Sequence, residues 1–242
     1  VGNAESIKEK IGFVFIHGAG LEGRIWKRVA ESLDRPRLLV DFPLRQSAME
    51  SRRELTLHDY AKDVQRQIKE WEVKRFIIVA HSLGGVVALQ AAELFSERLA
   101  GFVAVGAAIP NKGGSFLSIL PLPKRLLMSI ILRLAGTKPP ESAIRAGLCN
   151  DLSLEQVDEI IQRFVPESVR VYTDSVKAVL PEVPRLYVKL TNDKEFGQPL
   201  QDRMIRNLSP ERVVTLNTGH MPMLSDPDGL SVILKDIASE WV

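Results

Sequence analysis

The sequence predicts an α/β fold: a mostly parallel central sheet, helices on both faces, and a helical insertion over one edge. Three observations carry this. Six short apolar runs recur along the chain, and stretches of helical length separate them. The alternation then breaks once, over 110–181, where nothing reads as a strand. Strands alternating with amphipathic helices imply right-handed crossovers and parallel pairing.

The apolar runs lie at 11–17, 37–41, 75–80, 100–106, 184–190 and 211–216. They are rich in Val, Ile, Phe and Leu, and most lack the polar alternation of a strand facing water. Helical patterns occupy 24–33, 56–71, 83–95, 199–207 and 226–241. The expected organisation is therefore a core from 1–109 and 182–242 with a helical cap or lid from 110–181. Pro110, Gly113, Gly114, Pro121 and Pro123 punctuate the entry to that cap. Within it, 124–134 carries Leu126, Leu127, Ile130, Ile131 and Leu134 along one side. That side is expected to pack on the core, and it could line an apolar pocket as well. Lys124, Arg125 and Arg133 would also suit a membrane surface.

The chain has 242 residues, 45% hydrophobic and 26% charged, with 32 basic against 30 acidic residues and a formal net charge of +2. A balance this even gives no electrostatic reason to expect a nucleic-acid partner. The one cysteine, Cys149, excludes an internal disulfide and any multi-cysteine metal site, and it fits a reducing, cytoplasmic setting. No apolar run reaches the ~18 residues of a membrane span, so stable membrane insertion is not expected. Residues 1–10 lack a basic start followed by an apolar core, so no signal peptide is expected. A monomer or a homodimer fits equally.

The most informative segment is 76–88, where an apolar strand meets Ala80-His81-Ser82-Leu83-Gly84-Gly85 and then a helix. A nucleophilic serine must project from a sharp turn at a sheet edge, which brings backbone and neighbours close together. Small residues two before and two after, here Ala80 and Gly84, relieve that crowding. The following helix N-terminus offers N–H groups to a developing oxyanion. Alanine replaces the first glycine of G-x-S-x-G, and the turn remains feasible.

Elimination among four histidines selects the base. His81 adjoins Ser82 on a tight turn and should point elsewhere, His58 begins a charged helix, and His17 ends the first strand and serves loop geometry. His220 follows the last strand, at the same sheet edge as Ser82, where a general base must sit. The acid that orients its imidazole is expected after the 184–190 strand, where Asp193 stands; Glu195 and Asp226 are its rivals. The chain order is then Ser, Asp, His.

Gly18-Ala19-Gly20-Leu21-Glu22-Gly23 satisfies G-x-G-x-x-G after a strand, with Asp41 near the distance of a ribose-binding acid. Arg24, Trp26, Lys27 and Arg28 in the following helix argue against a dinucleotide there. A loop beside the serine turn explains the same residues: the Ala19 and Leu83 N–H groups form an oxyanion hole. Gly18, His81 and Met221 are candidates for substrate contact.

Together, His17-Gly18-Ala19-Gly20, Ala80-His81-Ser82-Leu83-Gly84-Gly85, Thr191-Asn192-Asp193 and Gly219-His220-Met221 resemble the α/β-hydrolase superfamily across nearly the whole chain. Within it, His-Gly-Ala, Trp26, Asn192-Asp193-Lys194 and His220-Met221 look like the small esterases related to plant methylesterases and hydroxynitrile lyases. The resemblance implies a serine hydrolase that cleaves a small apolar carboxylic ester with Ser82, His220 and Asp193, without metal or cofactor. A thioesterase or acyltransferase, or a small-molecule receptor on the same fold, are the alternatives. Hydroxynitrile lyases of the family carry Thr and Lys where this chain has Gly18 and Met221, which disfavours lyase chemistry. An Asp nucleophile, as in related dehalogenases and epoxide hydrolases, is absent at Ser82. The loop at 41–45 lacks the usual Pro-Gly-His-Gly run.

Overall fold

A computed structural model describes residues 10–45 and 49–241; the stretch read for a signal peptide, Lys10 apart, lies outside them. The strands are β1 (Gly12–Ile16), β2 (Arg37–Val40), β3 (Phe76–His81), β4 (Leu99–Val105), β5 (Arg185–Leu190) and β6 (Arg212–Leu216). Their order is β2-β1-β3-β4-β5-β6, and every pairing is parallel. Burial follows position. The central strands β1, β3 and β4 are covered throughout, whereas the edge strands β2 and β6 keep exposed residues.

The period-two alternation of strands divides the core into two layers. Val14, Ile16, Ile78, Ala80, Phe102 and Tyr187 face one side, against α2 (Leu57–Glu70), α3 (Gly84–Ala92) and α6 (Gln198–Leu208). Phe13, Phe15, Ile77, Val79, Leu186 and Val188 face the other, against α1 (Lys27–Ser32) and α7 (Pro227–Glu240). Each of the Val, Leu, Ile and Phe side chains among them, fully buried, contributes about 1.5–3 kcal/mol. Helix α2 starts where Thr56 and Asp59 close a reciprocal capping box, leaving Tyr60, Val64 and Ile68 on its inward stripe. Helix α3 is apolar apart from the partly exposed Gln90, as suits a helix buried against the sheet.

Between β4 and β5 the chain forms α4 (Leu122–Ala135), α5 (Leu154–Arg163) and a short helix, Val169–Thr173. Among the described residues its one strand-like contact is an isolated antiparallel bridge from Val165 to Gly20, in the loop after β1. The expectation for α4 is overturned. Leu132 is its one buried residue, while Leu126, Leu127, Ile130 and Leu134 are each more than half exposed. Its inner side, with Met128 beside Leu132, is too narrow to cover the outer leucines.

Because all strands run the same way, the loops after β1, β3, β4, β5 and β6 gather at one edge. The chain passes from β1 outward to β2 and returns to β3 on the other side, so β1 and β3 mark the switch point where such sheets open a crevice.

Candidate active site

Ser82 follows β3 directly with φ of 51°, a left-handed conformation uncommon for a residue with a side chain. It is held by its surroundings. The Ala108 N–H donates to the Ser82 carbonyl (2.9 Å), and so does that of Gly85 (3.0 Å). A Cβ at Gly84 would stand 2.5 Å from the His17 carbonyl oxygen, and one at Gly85 the same distance from that of Ala108. Only glycine lets α3 start this close to the end of β1. Gly18 is equally constrained, since a Cβ there would lie 2.9 Å from the Ser82 Cβ.

His220 lies against Ser82 from the loop after β6. Its Nε2 is 3.0 Å from Ser82 Oγ, and its Nδ1 is 2.8 Å from Asp193 Oδ2. A carboxylate only accepts, so Nδ1–H donates to Asp193 and Nε2 accepts from the serine hydroxyl. The other oxygen, Asp193 Oδ1, accepts from the Glu195 and Phe196 N–H groups at 2.8 and 2.9 Å. The Asp193 and His220 side chains are 0% and 1% exposed. Burial drives the His220 pKa down, but the charge and hydrogen bond of Asp193, helped by Glu195 and Asp151, outweigh it, and the net direction is upward from 6.5. The rivals are otherwise placed: Glu195 is exposed, and Asp226 caps α7 by accepting from the Gly229 N–H.

A model of the alpha/beta hydrolase family matches residues 13–231. The chain belongs to the alpha/beta hydrolase family. Methylesterase 7 of Arabidopsis thaliana is 24% identical over 251 residues, covering 95% of this chain and 96% of its own. "Putative methylesterase 13, chloroplastic" of the same plant is 27% identical over 93% of this chain, which spans only 56% of that relative's length. Among solved structures, an extracellular alpha/beta-hydrolase from a Paenibacillus species superposes with TM-score 0.83 at 21% identity, covering 93% of this chain and 98% of its own. Methylesterase MES16 from Arabidopsis superposes with TM-score 0.77 at 22% identity, covering 95% and 99%.

In this family member the other histidines do not join Ser82. His17 packs against Phe42 with the rings tilted (4.1 Å between centroids) and donates from Nδ1 to the Gly18 carbonyl. His58 is exposed on α2. His81 is fully buried, and its Nε2–H donates to the His220 carbonyl at 2.8 Å. Burial first, and then His220, hold its pKa well below 6.5, so it stays neutral while fixing the His220 backbone. Met221 is also fully buried, in the layer with Trp26 and Phe15. Both residues, read from the sequence as candidates for substrate contact, thus sit in the packing around His220. Ala19 is partly exposed and follows Gly18, the residue that packs on Ser82, and Leu83 is the N-cap of α3. Among the described residues neither of their N–H groups has a partner within the protein.

Three supports escaped the sequence. Glu167, deep in the β4–β5 segment, pairs with Arg45 at 2.6 Å, accepts from Tyr60 Oη at 2.9 Å, and accepts from the Gly20 N–H at 3.1 Å. With the Val165 bridge, it ties the loop after β1 in place. Asp151 accepts from the Gly219 N–H, and Asn150 Nδ2 donates to the Asn192 carbonyl, so one turn holds both the His220 and Asp193 loops. Asp41, the apparent ribose-binding acid, accepts from the Gly23 N–H at 2.6 Å and so ends the glycine loop.

Proposed function

We propose that this protein is a serine esterase acting on small, apolar carboxylic esters, with Ser82 as nucleophile, His220 as base and Asp193 as its orienting acid. The observation that carries the proposal is the buried chain from Asp193 through His220 to Ser82 on a left-handed turn. In the first step His220 Nε2 takes the hydroxyl proton as Ser82 Oγ bonds to the ester carbonyl carbon. The oxyanion lies toward the Ala19 and Leu83 N–H groups. The tetrahedral species collapses, the C–O bond to the alcohol breaks, and the imidazolium returns the proton to the leaving oxygen. Water then attacks the acyl-enzyme with the same base, releasing the acid and restoring Ser82. No step calls for a metal or cofactor.

Aromatic rings beside the base favour an apolar ester. Phe196 meets the His220 ring edge-on at 5.1 Å, Phe116 lies 6.0 Å from Phe196, and Tyr172 meets Phe116 at 5.2 Å. The names of the relatives make a methyl ester the first substrate to try. Met221 carries no ammonium that could stabilise departing cyanide, which supports hydrolysis over lyase chemistry.

Fluorophosphonate labelling with mass-spectrometric mapping tests the reading without a known substrate. Rapid labelling at Ser82 that is lost in Ser82→Ala and His220→Ala is expected, followed by steady turnover of methyl esters. An unlabelled Ser82 in folded protein refutes it. Tight retention of ligand without turnover favours a receptor, and preference for thioesters or for an acyl acceptor other than water favours the acyl-transfer alternatives.

A further inference from the structure

Helix α4 ends in an unusual surface. Leu122, Leu126, Ile130 and Leu134 follow at four-residue steps, so they form one line along the helix. They are 67%, 59%, 56% and 84% exposed, and Leu127 widens the line on one side. Scattered exposed leucines need no explanation, but a continuous stripe on a single helix is what interfaces are made of. Met128 and Leu132 occupy the inner side, so the outer stripe is not needed to hold α4 in place.

The charges beside it have one sign. From residue 98 to 140 the chain contains no Asp or Glu, while Lys112, Lys124, Arg125, Arg133 and Lys138 fall within it. Lys124 lies three residues from Leu127, and Arg133 three from Ile130, so cations flank the stripe on both margins. Where α4 ends, a cavity of about 460 Å³ opens between Leu132–Thr137 and the 166–169 turn, with Arg52, Arg53 and Arg133 on its walls. Arg52 is buried, with its Nε unpartnered among the described residues. The one carboxylate of that wall, Glu167, is already engaged by Arg45, Tyr60 and Gly20.

We infer that α4 docks the protein onto an anionic lipid membrane, its leucine stripe entering the headgroup boundary and the arginine-lined cavity receiving a lipid phosphate. An exposed apolar stripe margined by Lys and Arg, on a helix without acidic residues, is the pattern of a helix that lies in the interface plane. Among the described residues no helix is long and apolar enough to cross a membrane, so attachment is peripheral. A second copy of the chain suits the surface less well, because symmetric pairing of α4 would set its cations against each other without acids to neutralise them. The docking argument is independent of the esterase reading, since nothing in it involves Ser82.

Vesicle flotation of the whole protein tests it, comparing pure phosphatidylcholine with phosphatidylcholine containing about one third phosphatidylserine. Wild type is expected to float with the anionic vesicles only, and to be released by high salt. Lys124→Glu/Arg125→Glu/Arg133→Glu should weaken binding at least a hundredfold, as each basic residue near such a surface is worth about fivefold. Leu126→Glu/Ile130→Glu should abolish binding while near-UV circular dichroism and Ser82 labelling stay as in wild type. Failure of wild type to float, or equal binding to both vesicles, overturns the inference. A wild-type dimer that Leu126→Glu/Ile130→Glu converts to monomer overturns it in favour of a second copy.

Discussion

Replacing Asp193 by Asn isolates what the carboxylate does, because the structure dictates how the amide must sit. Asp193 Oδ1 accepts two backbone N–H groups, from Glu195 and Phe196, and Oδ2 faces His220 Nδ1. An amide has one oxygen. Turned toward the two N–H donors, it keeps both bonds and presents its NH₂ to the imidazole. The opposite orientation would set NH₂ against two donors and leave them unsatisfied, at about 1–3 kcal/mol each. The first orientation therefore wins, and it forces Nδ1 to accept. The His220 proton then moves to Nε2, which can no longer accept from Ser82 Oγ. The base is present but in the wrong tautomer. On the proposed mechanism a loss of about 10⁴ in kcat is expected, the size of the same exchange in a Ser-His-Asp triad, which is about 5.5 kcal/mol of barrier. Steady-state hydrolysis of a methyl ester and the rate of fluorophosphonate labelling both read this, with Tm as a check on folding. Activity within tenfold of wild type would refute the reasoning and pass the orienting role to another group, Glu195 first.

The same electrostatics set a pH dependence: His220 must be neutral to accept a proton, and its pKa is raised above 6.5, chiefly by Asp193 against the pull of burial. The acid limb of kcat/KM should accordingly rise with an apparent pKa above 6.5, and a midpoint below that value would contradict the assignment. The linked stability has the opposite sense, since a raised folded-state pKa stabilises below about 6.5 and the gain is lost as pH rises through the folded pKa. Gly84→Ala brings a methyl within 2.5 and 2.8 Å of the His17 and Ile16 carbonyl oxygens. It should cost about 1–3 kcal/mol and slow Ser82 labelling, and an unchanged Tm would show that the turn has room. Glu167→Ala leaves the Arg45 guanidinium, 7% exposed, without its partner. A loss of about 3–5 kcal/mol in urea unfolding is expected, with Glu167→Gln milder because it still accepts from Gly20.

What the sequence determined by itself is whatever local sterics and periodicity dictate. Among the described residues all six strands were legible, the central ones because a strand buried on both faces must be apolar nearly throughout, the edge strands β2 and β6 because they are short apolar runs set between helical patterns. The serine turn was legible because an apolar strand, a small residue, the serine and two glycines stand consecutively before a helix, although the contacts that require Gly84 and Gly85 come from His17 and Ala108. The placing of His220 and of an acid near it at the Ser82 edge followed because loops after parallel strands share one edge. Tertiary structure decided the rest. Whether Asp193, Glu195 or Asp226 meets His220 depends on which way each side chain is turned by the folded loops, which spacing does not encode. Glu167 joins Arg45 across 122 positions and Gly20 across 147, separations over which no sequence period operates. The stripe on α4 shows the limit most directly. Its apolar spacing announces a face that something must cover, but only the packed fold reveals that Met128 and Leu132 alone turn inward. Hydrophobicity is a property of the residue; burial is a property of its neighbours.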